Sequence, residues 1–397
     1  MLAFSTFGQS ASSAVVNGPA FLIPTWHAEG MSLAHAGLLG AAPWAGSACS
    51  LIVWGLVVDA TRERFAMVLS LIGSGLALVV AVLLADNTTA LGLALFVAGI
   101  FAAGTSSASG RLIVGWFPRR RRGTAMGIRQ MSQPVGVATA AMLVPVLASR
   151  YGAHWAIGSL GAMSLVAAVT CLVGIIDPPR PARSIDPRAA NPYRGSTHLA
   201  RVHAASVLLV IPQVTLWSFM LVWLQVGRDW TPEAAGSLVA VAQVLGAVGR
   251  IGAGTLSDVV GSRLRPMRWV AIAAGASMLL LGIAIAADSV LALGLILFAS
   301  VVTVADNGLA FTEVAERAGP WWSGRALGIQ NTGQYLAATG VPPAVGAGIA
   351  AWGYAAAFGV TGLFPLLALL LIPRDDSTYT IPLSESDRRD YGEPVAP

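Results

Sequence analysis

The chain has 397 residues, 55% hydrophobic and only 11% charged, against about 25% charged in a soluble domain. So apolar a chain has too little polar surface to cover itself in water, which excludes an ordinary soluble fold. The net charge is +5 and every basic residue is arginine; the arginines lie in short breaks between apolar runs, which excludes a nucleic-acid-binding patch.

Many apolar runs reach the roughly 20 residues a helix needs to cross a bilayer. The alternating segments of a membrane β-barrel are absent. Turn signals and charges cut the chain into twelve predicted spans, at 2–24, 33–58, 65–86, 89–116, 124–148 and 154–176, then 202–227, 233–257, 267–287, 289–315, 325–349 and 353–373. The expected fold class is an all-α membrane protein. The first span has no basic residue before Arg62 and lacks the basic start of a signal peptide. The expectation is that the native start lies upstream of Met1 and adds a short basic tail. A native N-terminal peptide beginning at Met1 would contradict that.

Cys49 in the second span and Cys171 in the sixth sit within apolar runs. They are expected to be small buried residues rather than a disulfide or metal pair. HExxH, GxSxG and P-loop patterns are absent, so neither an enzyme nor a cofactor or metal is expected.

Arginines orient the spans. One side carries Arg62 and Arg64, Arg119 to Arg122, Arg180 to Arg201, Arg263 to Arg268, Arg317 and Arg325, and Arg374 to Arg389; the other carries only Arg150 and Arg228. The rich side is expected to be cytoplasmic, with both termini inside and a bacterial inner membrane as the setting. Residues 177–201, rich in Pro and Arg, read as a cytoplasmic linker. It would divide a bundle at 1–176 from a second at 202–373, and the polar stretch 374–397 reads as a cytoplasmic tail.

The two bundles repeat each other. At an offset of 199, Ala36-Gly37 meets Ala235-Gly236, Gly55 meets Gly254 and Asp59 meets Asp258. Further on the offset becomes 201, so that Gly127-Ile128 meets Gly328-Ile329, Gln133 meets Gln334 and Gly152 meets Gly353. A repeat with an even number of spans keeps its topology, as in two-lobed transporters with the site between lobes.

The second span ends Gly55-Leu-Val-Val-Asp59-Ala-Thr-Arg62-Glu-Arg64, and the eighth ends Gly254-Thr-Leu-Ser-Asp258-Val-Val-Gly261-Ser-Arg263. Both resemble the GxLxDxxGxR loop motif of the major facilitator superfamily, at the two places where that family carries it. The first copy departs, with Val57 for Leu and Arg62 for Gly. The resemblance covers the whole chain. It implies two pseudo-symmetric six-helix bundles and a secondary transporter working by alternating access. The glycines would let helices approach closely. Asp59, helped by Arg62 or Arg64, and Asp258, helped by Arg263, would latch one gating state against a helix N-terminus of the other lobe.

Charges inside spans are costly and mark functional candidates. Asp306 precedes Arg317 by eleven residues, roughly 16 Å in and near the midplane. It is either a proton-binding carboxyl or the structural partner of an arginine. Its neighbour Asn307 would bond substrate or another helix. The resemblance places the fifth and eighth spans face to face. There Arg129 and Arg250 would hold an anion by forked hydrogen bonds, or serve as a cytoplasmic gate or as partners of backbone carbonyls and Asp306. Arg111 is expected to snorkel toward the loop or support Asp59. Gln133, Gln334, Gln213 and Asn17, with Gln130 and Asn331, are substrate contacts or inter-helix bonds. The fifth span, Gly127-Ile-Arg129-Gln130-Met-Ser-Gln133-Pro134-Val-Gly136, resembles cyanate-permease-type members. That favours a small organic or inorganic anion as the substrate and a proton as the coupling ion, carried by a monomer in a lipid bilayer. A drug or metabolite exporter of the same fold and a membrane sensor without transport are the alternatives.

Overall fold

A computed structural model describes residues 1–179 and 191–374. Residues 180–190 of the predicted linker and the tail beyond Arg374 therefore lie outside the described residues. Among those described there are helices and no strands.

The first predicted span is broken in three. Helix α1 (Leu2–Asn17) leads into a 3-10 turn at Gly18–Leu22 and then α2 (Ile23–Ala28). The break falls at Pro19, which has no N–H for an α-helical bond. Helix α3 (Leu33–Ala60) starts at Ser32, whose hydroxyl accepts the His35 N–H. Next come α4 (Glu63–Leu83), α5 (Thr88–Ala102) and α6 (Gly104–Trp116). The fourth span is thus two helices parted at Ala103. The fifth begins earlier than expected, as α7 (Arg119–Gln130), and continues past Met131 as α8 (Ser132–Tyr151). Helix α9 (Ala153–Gly174) completes the first half.

The second half runs through α10 (His198–Val226), α11 (Pro232–Val260), α12 (Leu264–Ala286) and α13 (Leu291–Ala318). The last two predicted spans form one long helical run, α14 (Ser323–Thr361), followed by α15 (Leu363–Leu371). The chain still turns between them at Gly353, where φ is 78°. The repeat partner Gly152 has φ 94° and divides α8 from α9. Both turns need a left-handed backbone, which glycine adopts without a Cβ clash.

The described chain forms two compact units. One comprises Met1–Trp116, Ile128–Arg180 and Pro320–Thr332. The other comprises Phe117–Gly127, Pro181–Gly319 and Gly333–Pro397. Each takes in one short stretch from the opposite half of the sequence, at the start of α14 and of α7. The first unit is built around Trp26, Leu78, Leu95 and Leu160. The second is built around Trp223, Met278, Leu281, Ile296 and Phe358, with the Trp223 and Phe358 rings edge to face at 6.4 Å. Cys171 is buried as expected, but Cys49 is exposed. The expectation of burial fails there.

Candidate functional site

In the first unit, glycine spacing sets how closely α3 and α14 approach. A Cβ on Gly55 would stand 2.5 Å from the carbonyl oxygen of Gly324, and one on Gly328 would stand 2.6 Å from that of Leu51. Only hydrogen at these positions leaves room. The close approach carries the Asp59 carboxylate to the N-terminus of α14. It accepts the N–H groups of Gly324 at 2.8 Å and Arg325 at 3.0 Å, and the Arg325 Nε–H at 2.8 Å. The carboxylate thus meets the unpaired donors and positive end of a helix, reinforced by charge.

Arg62 and Arg64 do not take part as expected. Both side chains are exposed, and among the described residues Arg64 bonds through its backbone N–H, to Asp177. Arg111 stands in their place. It donates to Asp59 at 3.2 Å and pairs through Nε with the fully buried Glu63 at 2.9 Å, while also donating to the Pro320 carbonyl. The cause lies in the departure from the motif. Arg62 has an extended backbone, φ −123°, and α4 starts directly after it, which turns Arg64 outward.

The second unit repeats the arrangement. A Cβ on Gly254 would stand 2.1 Å from the Gly123 oxygen, and one on Gly127 would stand 2.6 Å from that of Arg250. Asp258 accepts the N–H groups of Gly123 at 2.9 Å and Thr124 at 2.8 Å, and the Thr124 hydroxyl at 2.8 Å. Here the motif glycine is present. Gly261 adopts φ 69° and ends α11, and Arg263 turns back to bond Asp258 at 2.6 Å. Arg263 also reaches Ser257, Glu316 and the Arg119 carbonyl. Burial pulls its guanidinium down, but Glu316 and Asp258 outweigh that and the net direction is up.

Inside the second unit, Asp306 is 1% exposed and neither of its carboxylate oxygens has a hydrogen-bond partner. The buried guanidinium of Arg250 attracts it electrostatically. The next residue, Asn307, donates to Gln213 at 2.9 Å and accepts from Gln334 at 3.2 Å. Three predicted amides therefore form one buried chain across α10, α13 and α14. In the first unit Arg129 is buried with its nitrogens engaged. Nε donates to Ser109, one terminal nitrogen to the Gln130 amide oxygen, and the other to the Ser106 carbonyl. Gln133 is half-buried, and its backbone carbonyl accepts from Ser13. Asn17 bonds back to the Ser13 carbonyl at 2.7 Å. Asn331 likewise bonds within its own helix, to Leu327. No group of metal-ligating side chains occurs among the described residues.

Comparison with known proteins decides the family. The model of the Major Facilitator Superfamily matches residues 2–342. The chain belongs to the Major Facilitator Superfamily. An uncharacterized MFS-type transporter of Mycobacterium tuberculosis, Rv2994, is 45% identical over 374 residues, covering 93% of this chain and 83% of that protein. Among solved structures, the superfamily transporter FucP in its outward conformation aligns with a TM-score of 0.76 at 14% identity, over 94% of this chain and 97% of that one. The proton:xylose symporter XylE bound to 6-bromo-6-deoxy-D-glucose aligns with a TM-score of 0.72 at 16% identity, over 93% and 94%. This chain is a multi-pass membrane transporter of the Major Facilitator fold, with twelve transmembrane helices in two pseudo-symmetric bundles.

Several residues of this Major Facilitator chain escaped the sequence reading. Glu63, Arg325 and Glu316 were not singled out, yet each pairs with an arginine or a motif carboxylate. Arg325 carried a signal in the repeat itself, since it matches Thr124 at the offset of 201. The two residues fill equivalent places beside Asp59 and Asp258. Arg122 and His198 also gain partners, Glu316 at 3.4 Å and Glu313 at 2.7 Å. Nothing in their local sequence marked these pairs.

Proposed function

We propose that this transporter carries a small organic or inorganic anion together with a proton across a bacterial inner membrane by alternating access, with both termini cytoplasmic. The observation that carries this reading is Asp306, a buried carboxyl with no hydrogen bond to another residue among those described, attracted by the buried Arg250. An ionised carboxylate in such a place is costly unless its charge is compensated. While Asp306 is ionised, it is the counter-charge of Arg250. When a proton binds Asp306, that compensation ends, and Arg250 attracts an external anion instead. Proton and anion then enter the site together, and release of one promotes release of the other. The amides of Gln213, Asn307 and Gln334 would orient the anion's neutral groups. XylE, a proton symporter of the same fold, supports the coupling.

Arg129 has a different part in this reading. Its bonds to Ser106, Ser109 and Gln130 make it a brace between α6 and α7 rather than half of an anion clamp. Asp59 and Asp258 serve as latches, each holding a helix N-terminus in one gating state and releasing it in the other.

Purified protein in liposomes loaded with a pH dye tests the coupling. Substrate addition should acidify the lumen in the wild type. Asp306→Asn should abolish that signal and gradient-driven accumulation while leaving exchange of solute across the membrane. Unchanged proton entry in Asp306→Asn would refute the role of Asp306.

A further inference from the structure

Helix α7 opens with four consecutive arginines, Arg119 to Arg122. Cations on the first turn add to the positive end of the helix dipole and repel one another, so the arrangement is unfavourable unless an anion compensates it. Arg122 has one, Glu316 at 3.4 Å. Arg119, Arg120 and Arg121 are exposed, and no carboxylate pairs with them among the described residues. Within the second unit this turn is held beside the start of α12. Arg263, at the start of α12, donates to the Arg119 carbonyl at 2.5 Å. One and a half turns along α12, Trp269 is half exposed, and Trp favours the headgroup level of a bilayer. Arg265, between them, is exposed as well.

We infer that the start of α7 in the second unit is a binding surface for the headgroup of an acidic phospholipid. The phosphate supplies the counter-charge that Arg119, Arg120 and Arg121 lack within the protein, and the acyl chains stay in the bilayer beside α12. The occupant is a lipid rather than a soluble phosphate because the turn lies at headgroup depth, where anionic lipid is concentrated. A juxtamembrane arginine near such a surface contributes on the order of 1 kcal/mol. A purely topological role for these arginines predicts no preference between lipid headgroups once the protein is inserted.

The full chain in detergent would be titrated with fluorescent phosphatidylglycerol and, separately, phosphatidylcholine of the same acyl chains. The wild type should bind phosphatidylglycerol preferentially. Arg119→Gln/Arg120→Gln/Arg121→Gln should weaken that binding roughly a hundredfold. Arg194→Gln/Arg374→Gln, which removes two exposed arginines elsewhere, should leave it intact. An equal loss in both variants, no headgroup preference, or full competition by free glycerol phosphate would overturn the inference. If the triple variant does not fold, the wild type still decides: the preference should fade as salt rises from low to high, and a preference indifferent to salt would overturn it.

Discussion

Arg111 and Arg64 show how one residue redirects a charge network. In the second repeat, the motif glycine Gly261 takes φ 69° and brings Arg263 back to Asp258. In the first, Arg62 holds the glycine's place with an extended backbone, and Arg64 turns outward. Arg111 then carries two buried carboxylates, Asp59 and Glu63. Removing one partner of such a network leaves buried charge uncompensated and costs about 3–5 kcal/mol, whereas an exposed substitution stays within about 0.5 kcal/mol. Arg111→Ala is therefore expected to lose most of its thermal stability, and Arg64→Ala to melt like the wild type. Equal melting of the two variants would contradict this assignment. The sequence singled out Asp59, Asp258 and Asp306 as candidate carboxylates. Arg263 meets Asp258 as expected, and Arg111 meets Asp59 as one of its two expected roles; Arg325 at Asp59 was not singled out, because it comes from a helix distant in the chain. Arg129 illustrates the same limit: its bonds reach Ser106 and Ser109 on a separate helix, some twenty residues earlier in the chain.

Helix pairs are positioned by glycines that the repeat made legible. Gly55 and Gly254 were expected to permit close approach, and each faces a backbone carbonyl that leaves no space for a Cβ. Backbone cannot yield as the end of a flexible side chain can. Gly254→Ala is expected to push the start of α7 away from Asp258 and lengthen the bonds that hold it. Asp258→Ala removes those bonds directly. Both variants should insert and express like the wild type but transport several-fold more slowly, and a cysteine placed at the α7 start should react faster with a water-soluble thiol reagent. Wild-type rates in both would mean that the contact has no part in gating. Helix ends were less legible than helix contacts. The breaks at Pro19, Ala103 and Met131 do have turn or polar residues beside them, at Asn17 to Pro19, Gly104 to Ser107 and Arg129 to Pro134, but each lies inside a longer apolar run, and span length outweighed those local signals.

Across the molecule, two features recur with the sequence repeat: a motif carboxylate accepting two successive backbone N–H groups of a helix from the other half of the sequence, and a left-handed glycine between the last two spans of each half. The interior polar groups break this symmetry. Asp306, Arg250 and the amide chain of Gln213, Asn307 and Gln334 lie in the second unit, while the first unit holds Arg129 among serines. The proposed proton and anion recognition would therefore lie in the second unit, and the proposed bracing by Arg129 in the first. The most direct test is ligand-induced thermal stabilisation of the purified protein against a panel of oxyanions, carboxylates, sugars and cationic dyes, since a ligand that favours the native state raises its apparent stability. The account predicts stabilisation by an anion, stronger at low pH where Asp306 carries its proton, lost in Arg250→Gln and independent of pH in Asp306→Asn. Stabilisation by sugars or dyes alone, unchanged in Arg250→Gln, would contradict it.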